Sequence, residues 1–179
     1  RYAHVGWWLL NAADYGVPQA RRRVIIWAGP RPLTPPRSTH GPGMFTRPWV
    51  SIGEALGLMA ERYRFMARQN GARGSCPIDK RKPAPTIQAG GNRDNGLRLI
   101  KRESPEGPDV TRRLTVNESA TLQGFDRHPW RGTLGDKFRQ VGNAVPPQLA
   151  RVIGEAVIRA DRAYSSDPDA HKAASRAAQ

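Results

Sequence analysis

The chain has 179 residues, among them 18 glycines, 16 prolines and one cysteine, and its formal net charge is +14. This length allows one domain with a real core, or parts of two domains. The lone Cys76 cannot form an internal disulfide, and no histidine has metal-ligand spacing with it, so no metal site is expected. No apolar run approaches the roughly 18 residues needed to span a bilayer, which predicts a soluble, cytoplasmic protein without a membrane partner.

The positive charge belongs to the body of the chain, because the acidic and basic residues of the last sixteen positions cancel. Such a field attracts polyanions, and arginine, which greatly outnumbers lysine here, makes bidentate contacts to phosphates and guanines. Nucleic acid is therefore the leading partner. The alternative is that an Arg-, Ala-, Gly- and Pro-rich chain only reflects G+C-rich coding.

Two short apolar runs near the start, residues 5–10 and 24–28, are rich in β-branched and aromatic residues and predict buried strands. Turn-forming residues make 11–18 a loop. If the second strand begins at Gln19, its two-residue period places Gln19, Arg21 and Arg23 on one face. This face is suited to an anionic or hydrogen-bonding ligand, although a charged run is equally typical of a solvated surface.

Residues 30–48 are rich in proline, threonine, serine and glycine, which is typical of an extended surface linker. Ser51 and Glu54 follow with the spacing of a capping box, in which a hydroxyl and a carboxylate satisfy free amides at a helix start. This spacing predicts a short helix over about 52–59.

Residues 60–111 are strongly basic and weakly periodic, and indicate a second, smaller module of short strands and loops. Within it, Thr86 and Ile87 have a strand-like context and precede Gly90 and Gly91. The two glycines would allow close approach of the backbone to a ligand, and a bare turn is the alternative.

Thr115 and Glu118 form a second capping-box pattern, which predicts a helix over about 116–122. Gly124 is placed to close this helix in the left-handed conformation. Beyond Pro146 and Pro147, apolar residues recur on one helical face and predict an amphipathic helix. These residues are Leu149, Val152, Ile153, Ala156, Val157 and Ala160.

Three separated segments together resemble the C-terminal half of a DNA (cytosine-5)-methyltransferase. Residues 11–27, NAADYGVPQARRRVIIW, resemble that family's Gln-x-Arg-x-Arg segment, with the glutamine and two arginines at matching positions. Residues 112–125, RRLTVNESATLQGF, resemble its Arg-x-Leu-Thr-x-x-Glu and Leu-Gln-Gly-Phe motif. Residues 140–150, QVGNAVPPQLA, resemble its final Gly-Asn-Ala-Val-Pro-Pro motif. The order and spacing of the three segments make the resemblance specific.

The resemblance implies an α/β fold. It would contain part of a Rossmann-like, S-adenosylmethionine-dependent methyltransferase domain and a small mixed α+β target recognition domain. C-terminal strands of the catalytic domain and a linker would occupy 1–48, and the recognition domain 49–139. A helix at 140–163 would return to the catalytic domain, and 164–179 would be a disordered tail.

In the reaction of this family, a cysteine thiolate adds to C6 of a cytosine flipped out of double-stranded DNA, and a glutamate assists at N3. C5 then takes a methyl group from S-adenosylmethionine. The resemblance implies that Arg21 and Arg23 support this catalysis, with Arg23 nearest the base and hydrogen-bonded to its O2. Gln19 and Arg21 would organise the loop. The DNA-binding candidates are Gln19, Arg21, Arg23, Thr86 and Arg113.

The cofactor S-adenosylmethionine is implied as well. The family's last motif returns from the small domain to complete the cofactor pocket, so Asn143, Ala144 and Val145 are the cofactor-binding candidates. The alternative is that Gly142 and Asn143 only form a turn and a cap before the last helix.

The chain lacks three parts of the family pattern: the Pro-Cys-Gln loop of the nucleophile, the Glu-Asn-Val segment of the general acid and the Gly-rich cofactor turn. In the family all three precede the segments found here, and Cys76 has the wrong order and context for the nucleophile. We therefore expect that this chain alone neither binds S-adenosylmethionine tightly nor methylates DNA. It would need an upstream methyltransferase half. A DNA-binding module without catalysis, a split-enzyme subunit and a decayed remnant are the alternatives.

Overall fold

The computed structural model describes residues 2–58, 62–68, 75–89, 97–102 and 108–165. In chain order the elements are β1 (His4–Asn11), a 3₁₀ helix (Ala12–Tyr15), β2 (Gln19–Ala20), β3 (Arg22–Gly29), α1 (Ile52–Ala55), β4 (Tyr63–Arg68), β5 (Ser75–Ile78), β6 (Ala84–Pro85), β7 (Arg98–Arg102), β8 (Asp109–Arg113), α2 (Val116–Leu122), α3 (Leu134–Asn143) and α4 (Pro147–Ser165).

The two strands predicted near the start are confirmed, and they pair with each other. β1 and β3 run antiparallel, with Trp7 opposite Ile26 and Leu9 opposite Val24. These four side chains are 56–76% exposed, so the expectation that both strands are buried is wrong for this face. Side chains alternate between the two faces of a strand pair, and among the described residues only the other face is covered.

The covered face of this strand pair packs against the last helix. Trp8 and Leu10 of β1 join Leu149 and Ala156 of α4 in one hydrophobic cluster. The predicted amphipathic helix is thereby confirmed, although Val157, expected on its apolar face, is 47% exposed. We call this group of residues the hairpin cluster.

The helix α4 ends later than expected. It continues through Ser165, whereas the sequence predicted a disordered tail from residue 164. The rest of that predicted tail, residues 166–179, lies outside the described residues.

The strand predicted to run continuously from Gln19 is interrupted at Arg21. β2 pairs in parallel with β6, whereas β3 pairs with β1, so the chain changes sheet between them. The predicted common face of three polar side chains is therefore not formed. Gln19 and Arg21 point into the protein, and Arg23 is exposed.

The short strands predicted within 60–111 are confirmed in the described part of that region. Four of them form an antiparallel sheet in the order β5-β4-β7-β8. One face of this sheet carries the buried side chains of Phe65 and Leu99, which share a hydrophobic cluster with Ile52 of α1 and Leu122 of α2. We call this second group the sheet cluster.

The capping box of Thr115 and Glu118 is formed, and α2 has the predicted bounds. The Thr115 hydroxyl accepts a hydrogen bond from the Glu118 amide, and the Glu118 carboxylate accepts one from the Thr115 amide. Gly124 follows the helix with φ of 80°, the left-handed conformation expected there. The local sequence signals were sufficient for this helix.

The capping box of Ser51 and Glu54 is also formed, but α1 is shorter than predicted. It ends at Ala55, and a glycine with φ of 65°, Gly57, follows. The predicted end of this helix, Met59, lies outside the described residues.

Helix α3 was not predicted. Thr133 caps it with Asp136, a shorter partner than the usual glutamate, and two glycines at positions 135 and 142 weaken its helical signal. The alternative of a turn at Gly142 and Asn143 is wrong, because these residues are the last two of α3. The chain turns only at Ala144, which has an extended backbone.

The two hydrophobic clusters divide the chain much as the predicted domains do, although the boundaries themselves stay a prediction. The first strands and α4 belong to the hairpin cluster, and the four-stranded sheet with α1 and α2 to the sheet cluster. Residues 30–48 connect them without a helix or strand. Within the described residues no helix is long and apolar enough to cross a membrane, and no three His, Cys, Asp or Glu side chains are grouped to hold a metal.

Candidate functional site

Gln19 lies at the junction between the two clusters and is fully buried. Its side-chain nitrogen donates to the carbonyl of Leu122, at the end of α2, over 3.1 Å. Its side-chain oxygen accepts from the amide of Ile87, just after β6, over 3.0 Å. One amide side chain thus ties β2 to two segments that are far away in sequence.

Arg21 adds a second link at the same junction. Its guanidinium donates to the carbonyl of Ile87 over 3.2 Å and to the carbonyl of Gly142 over 2.9 Å. Arg21 is 5% exposed, and this burial, together with repulsion from Arg23, lowers its pKa to about 10. The group therefore stays protonated near neutral pH, and two backbone carbonyls satisfy it where water does not reach.

Gly142 permits the closest backbone approach at the junction. A Cβ atom placed on it would lie 2.3 Å from the amide nitrogen of Ala89 and 2.4 Å from the Cα of Ala89. Real Cβ atoms essentially never come so close, and both neighbours are backbone atoms. Gly142, the glycine of the Gly-Asn-Ala-Val-Pro-Pro motif, is thus required because α3 packs closely against the segment that follows β6.

Gln123 and Thr86 complete this set, which we call the joint: Gln19, Arg21, Thr86, Gln123 and Gly142. Gln123 is fully buried and donates to the carbonyl of Val141 over 2.8 Å. The Thr86 hydroxyl donates to the carbonyl of Ala20 over 2.9 Å. Gln123 was not singled out from the sequence, although its place in the Leu-Gln-Gly-Phe motif was the available signal.

The exposed candidates border the joint. Arg23 follows Arg21 by two residues, and its guanidinium bonds the neighbouring carbonyl of Arg22 over 2.6 Å. Asn143 follows Gly142 directly and is exposed, Ala144 is half-buried, and Val145 is 57% exposed. The fold thus brings the start of β3, which carries Arg23, close to Thr86 and to the cofactor candidates at 143–145.

Arg113 is the one predicted site residue placed elsewhere. It is an exposed residue at the end of β8. The seven-residue helix α2, roughly 10 Å long, separates it from the Leu122 end of the joint. Gly90 and Gly91, predicted to approach a ligand, lie outside the described residues.

The sequence matches the family model of the C-5 cytosine-specific DNA methylases over residues 3–39 and 56–159, well over half of the chain. The chain belongs to this family. The resemblance inferred from the three motifs is thereby confirmed.

Individual relatives of the chain are also named as methyltransferases. The Type II methyltransferase M.BspRI of Lysinibacillus sphaericus is 31% identical over 92% of this chain and 46% of its own length. The Type II methyltransferase M.AplI of Arthrospira platensis is 33% identical over 83% of this chain and 46% of its own length. The DNA (cytosine-5)-methyltransferase CMT2 of Oryza sativa subsp. japonica is 46% identical over 61 residues. The chain thus spans about half the length of the two bacterial relatives.

Proposed function

We propose that this chain is the C-terminal portion of a DNA (cytosine-5)-methyltransferase, which transfers a methyl group from S-adenosylmethionine to C5 of cytosine in duplex DNA. The chain would supply DNA recognition and part of the cofactor pocket. The joint is the observation that supports this role most. It holds the strand that carries Arg23 against both the segment after β6 and the end of α3.

Arg23 is our candidate for the contact to the target base. Its guanidinium is exposed, whereas Gln19 and Arg21 of the same motif donate their hydrogen bonds to buried backbone carbonyls. A planar guanidinium can donate to a base oxygen or a phosphate in a bidentate manner. In this proposal Arg21 and Gln19 are positioning residues, because they fix the strand from which Arg23 projects.

Thr86 would contact the DNA backbone near the target. Its hydroxyl donates to the carbonyl of Ala20, which holds Thr86 beside the strand that leads to Arg23. We therefore propose that Thr86 and Arg23 act on neighbouring parts of one bound nucleotide.

The segment Asn143, Ala144 and Val145 fits one wall of a pocket for S-adenosylmethionine, which supplies the methyl group when bound. Asn143 exposes an amide that can both donate and accept hydrogen bonds, and Val145 exposes an apolar surface. The cofactor has polar amino-acid and ribose groups and a flat adenine ring, so both kinds of contact are useful. The remaining walls would come from the half of the enzyme that the chain does not match.

The exposed face of β1 and β3 also supports the proposal that this chain is one part of a larger enzyme. We propose that this pair is the edge of a larger Rossmann-like α/β sheet, in which helices of the other half would cover Trp7 and Ile26. The nucleophilic cysteine, the general acid and the main cofactor turn would lie in that other part. The chain alone would then be inactive, and its target would be DNA in the cytoplasm.

A complementation assay tests the proposed function. This chain would be co-expressed with the N-terminal half of M.BspRI, and transfer of labelled methyl groups to duplex DNA would be measured. We expect methylation only when both parts are present. Arg23→Ala should reduce it at least tenfold, and the matched variant Arg22→Ala should retain it. A folded complex without methyl transfer, or equal loss in both variants, would count against the proposal.

A further inference from the structure

The loop of residues 39–47 presents two large apolar side chains to solvent, Met44 and Phe45, which we call the tip. They are 92% and 98% exposed, the highest values among the large apolar side chains that the structure describes. The tip residues are the central pair of a turn, because the amide of Thr46 donates to the carbonyl of Gly43 over 3.1 Å. Turn centres ordinarily have Gly, Pro, Asn, Asp or Ser, so the turn itself does not require methionine or phenylalanine.

Hydrogen bonds stabilise the loop below the tip. The Thr46 hydroxyl donates to the carbonyl of Gly43 over 2.8 Å, and the amide of Gly41 donates to the carbonyl of Arg47 over 2.9 Å. The amide of Arg47 donates in turn to the carbonyl of Thr39 over 3.0 Å. A loop without such bonds could fold its apolar residues back onto the protein. Here the backbone holds the tip away from the protein surface, so its exposure is a property of the folded loop.

The loop is attached to the end of the strand pair at which β3 begins. The amides of Thr39 and His40 both donate to the carbonyl of Asp14, over 2.9 and 3.0 Å. Asp14 lies three residues after the end of β1, and β1 ends opposite Arg22. The loop therefore extends from the same end of the strand pair as Arg23, the proposed contact to the target base.

The sequence around the tip is positively charged. From residue 15 to residue 53 the chain has six arginines and no lysine, aspartate or glutamate. Two of these arginines, Arg37 and Arg47, are exposed and lie on either side of the tip in the sequence. Asp14, the acidic residue that precedes the segment, lies at the base of the loop and accepts a hydrogen bond from the indole of Trp49 over 3.0 Å. Such a charge distribution attracts a polyanion to the tip.

Apolar side chains beside basic residues suit one mode of DNA binding in particular. Phenylalanine and methionine are among the residues that proteins insert as wedges between neighbouring base pairs, which they partly unstack. An aromatic ring can also stack on a base. A protein partner would cover the tip without needing the arginines, as the uncharged exposed face of Trp7 and Ile26 illustrates. The combination of a rigid apolar tip and flanking arginines therefore favours DNA as the occupant.

We infer that Met44 and Phe45 form an apolar wedge that inserts at a base step of the bound duplex, while Arg37 and Arg47 contact the phosphates beside it. The inference rests on the proposed function in that the bound polyanion is DNA. The wedge lies in the segment 30–48, outside both the four-stranded sheet and the joint. An opened step near the target lowers the stacking energy that opposes flipping of the cytosine.

Binding of the 179-residue chain to a short duplex tests the wedge, with fluorescence anisotropy as the readout. We expect Met44→Ala with Phe45→Ala to weaken binding about tenfold, as for the loss of one base–aromatic stack. The salt slope of binding should not change, because this variant removes no charge. Arg37→Gln with Arg47→Gln should instead reduce the slope by about 1.8, the value for two phosphates. A double alanine variant that binds DNA like the parent would overturn the inference.

A gapped duplex tests whether the tip enters between bases. A one-nucleotide gap leaves a base step already open, so the parent chain should bind the gapped duplex several-fold more tightly than the continuous one. The double alanine variant should lose this preference. Equal loss of affinity for the two duplexes would contradict insertion.

Leu134→Ala is the matched control for removal of an exposed apolar side chain. Leu134 is 61% exposed at the start of α3, and its replacement should change DNA binding less than twofold. Because the replaced side chains are exposed, each variant should unfold at the same urea concentration as the parent. If the Leu134 and tip variants weaken binding alike, the tip has no special role and the inference is wrong.

Cross-linking identifies what the tip contacts. Phe45 would be replaced by p-benzoylphenylalanine and the chain irradiated with duplex DNA, with and without the N-terminal half of M.BspRI. We expect a cross-link to DNA from position 45 and none from the same group at position 134. A cross-link only to the M.BspRI half or to a second copy of the chain, or no cross-link, would overturn the inference.

Failure of the wedge is distinguishable from failure of the proposed function. If the tip variants bind DNA like the parent while the complemented parent methylates DNA, only the wedge is wrong. A parent chain without salt-dependent affinity for DNA, and without methyl transfer in the complementation assay, would contradict the proposed function itself.

Discussion

Arg21 donates a hydrogen bond to the carbonyl of Gly142, 121 residues further along the chain, over 2.9 Å. The other arm of the same guanidinium reaches Ile87. One side chain therefore connects the end of α3, the segment after β6 and the entry to β3. The orientation of the exposed Arg23, two residues later, depends on this connection.

Replacing Arg21 by lysine should destabilise the protein. A single ammonium group lacks the planar fork that serves two carbonyls on different segments, so one buried acceptor loses its partner. We expect the free energy of unfolding to fall by about 1–3 kcal/mol, measured by urea denaturation. Arg22→Lys, at the exposed neighbouring position, should change it by less than about 0.5 kcal/mol. Equal stability of the two variants would contradict a structural role for Arg21.

The contribution of Arg21 to the free energy of unfolding should not depend on pH near neutrality. Its pKa in the folded protein is about 10, below the ordinary value for arginine, so both folded and unfolded states hold the proton below pH 10. Only above that pH does the unfolded state bind more protons, and there stability from this group would rise with pH. The difference in unfolding free energy between the parent and Arg21→Lys should therefore be the same at pH 6 and at pH 8.

Gly142→Ala should be strongly destabilising. The new methyl group would overlap the backbone of Ala89, which cannot move aside as a flexible side chain can. We expect a loss of about 1–3 kcal/mol or more in thermal or urea unfolding. Gly154→Ala in α4 is the matched control, because a Cβ there meets no atom within 4 Å. That variant should be as stable as the parent or more stable by up to about 1 kcal/mol, since alanine favours helix.

Acid should weaken the capping box of α2. Burial opposes ionisation of Glu118, but hydrogen bonds from Arg112 and from the amide and hydroxyl of Thr115 outweigh it and lower its pKa below the ordinary 4.5. The stabilisation is present above pH 4.5 and is lost as pH falls through the lower, folded-state pKa. Glu118→Gln should therefore flatten the pH dependence of unfolding below pH 4.5. Glu155→Gln, in an exposed pair with Arg151, should leave the pH dependence almost unchanged.

The exposed face of the strand pair should make the isolated chain self-associate. Trp7 and Ile26 are opposite each other and are 68% and 76% exposed. Trp7→Lys with Ile26→Glu places opposite charges across the strands and removes the apolar contact surface. We expect sedimentation to show concentration-dependent association of the parent and a monomer for this variant. Phe45→Glu, at an exposed loop position, should associate like the parent, and a parent that stays monomeric at all concentrations would contradict the prediction.

The sequence by itself determined the elements whose signals are local. The capping box and the final glycine defined α2, and the 3.6-residue apolar period defined α4. It also identified the family, because motif order is a property of the sequence alone. It could not show α3, whose two glycines weaken the helical signal although packing holds the helix in place.

Tertiary structure alone decided what the Gln-x-Arg-x-Arg residues contact. A two-residue period predicted one common polar face for Gln19, Arg21 and Arg23, but the chain changes sheet at Arg21. Buried donors and acceptors must be satisfied wherever the fold places them, so Gln19 and Arg21 bond carbonyls and amides that lie 66 to 121 residues away. Partners at such separations depend on how the two clusters dock, and no local pattern in the sequence encodes them.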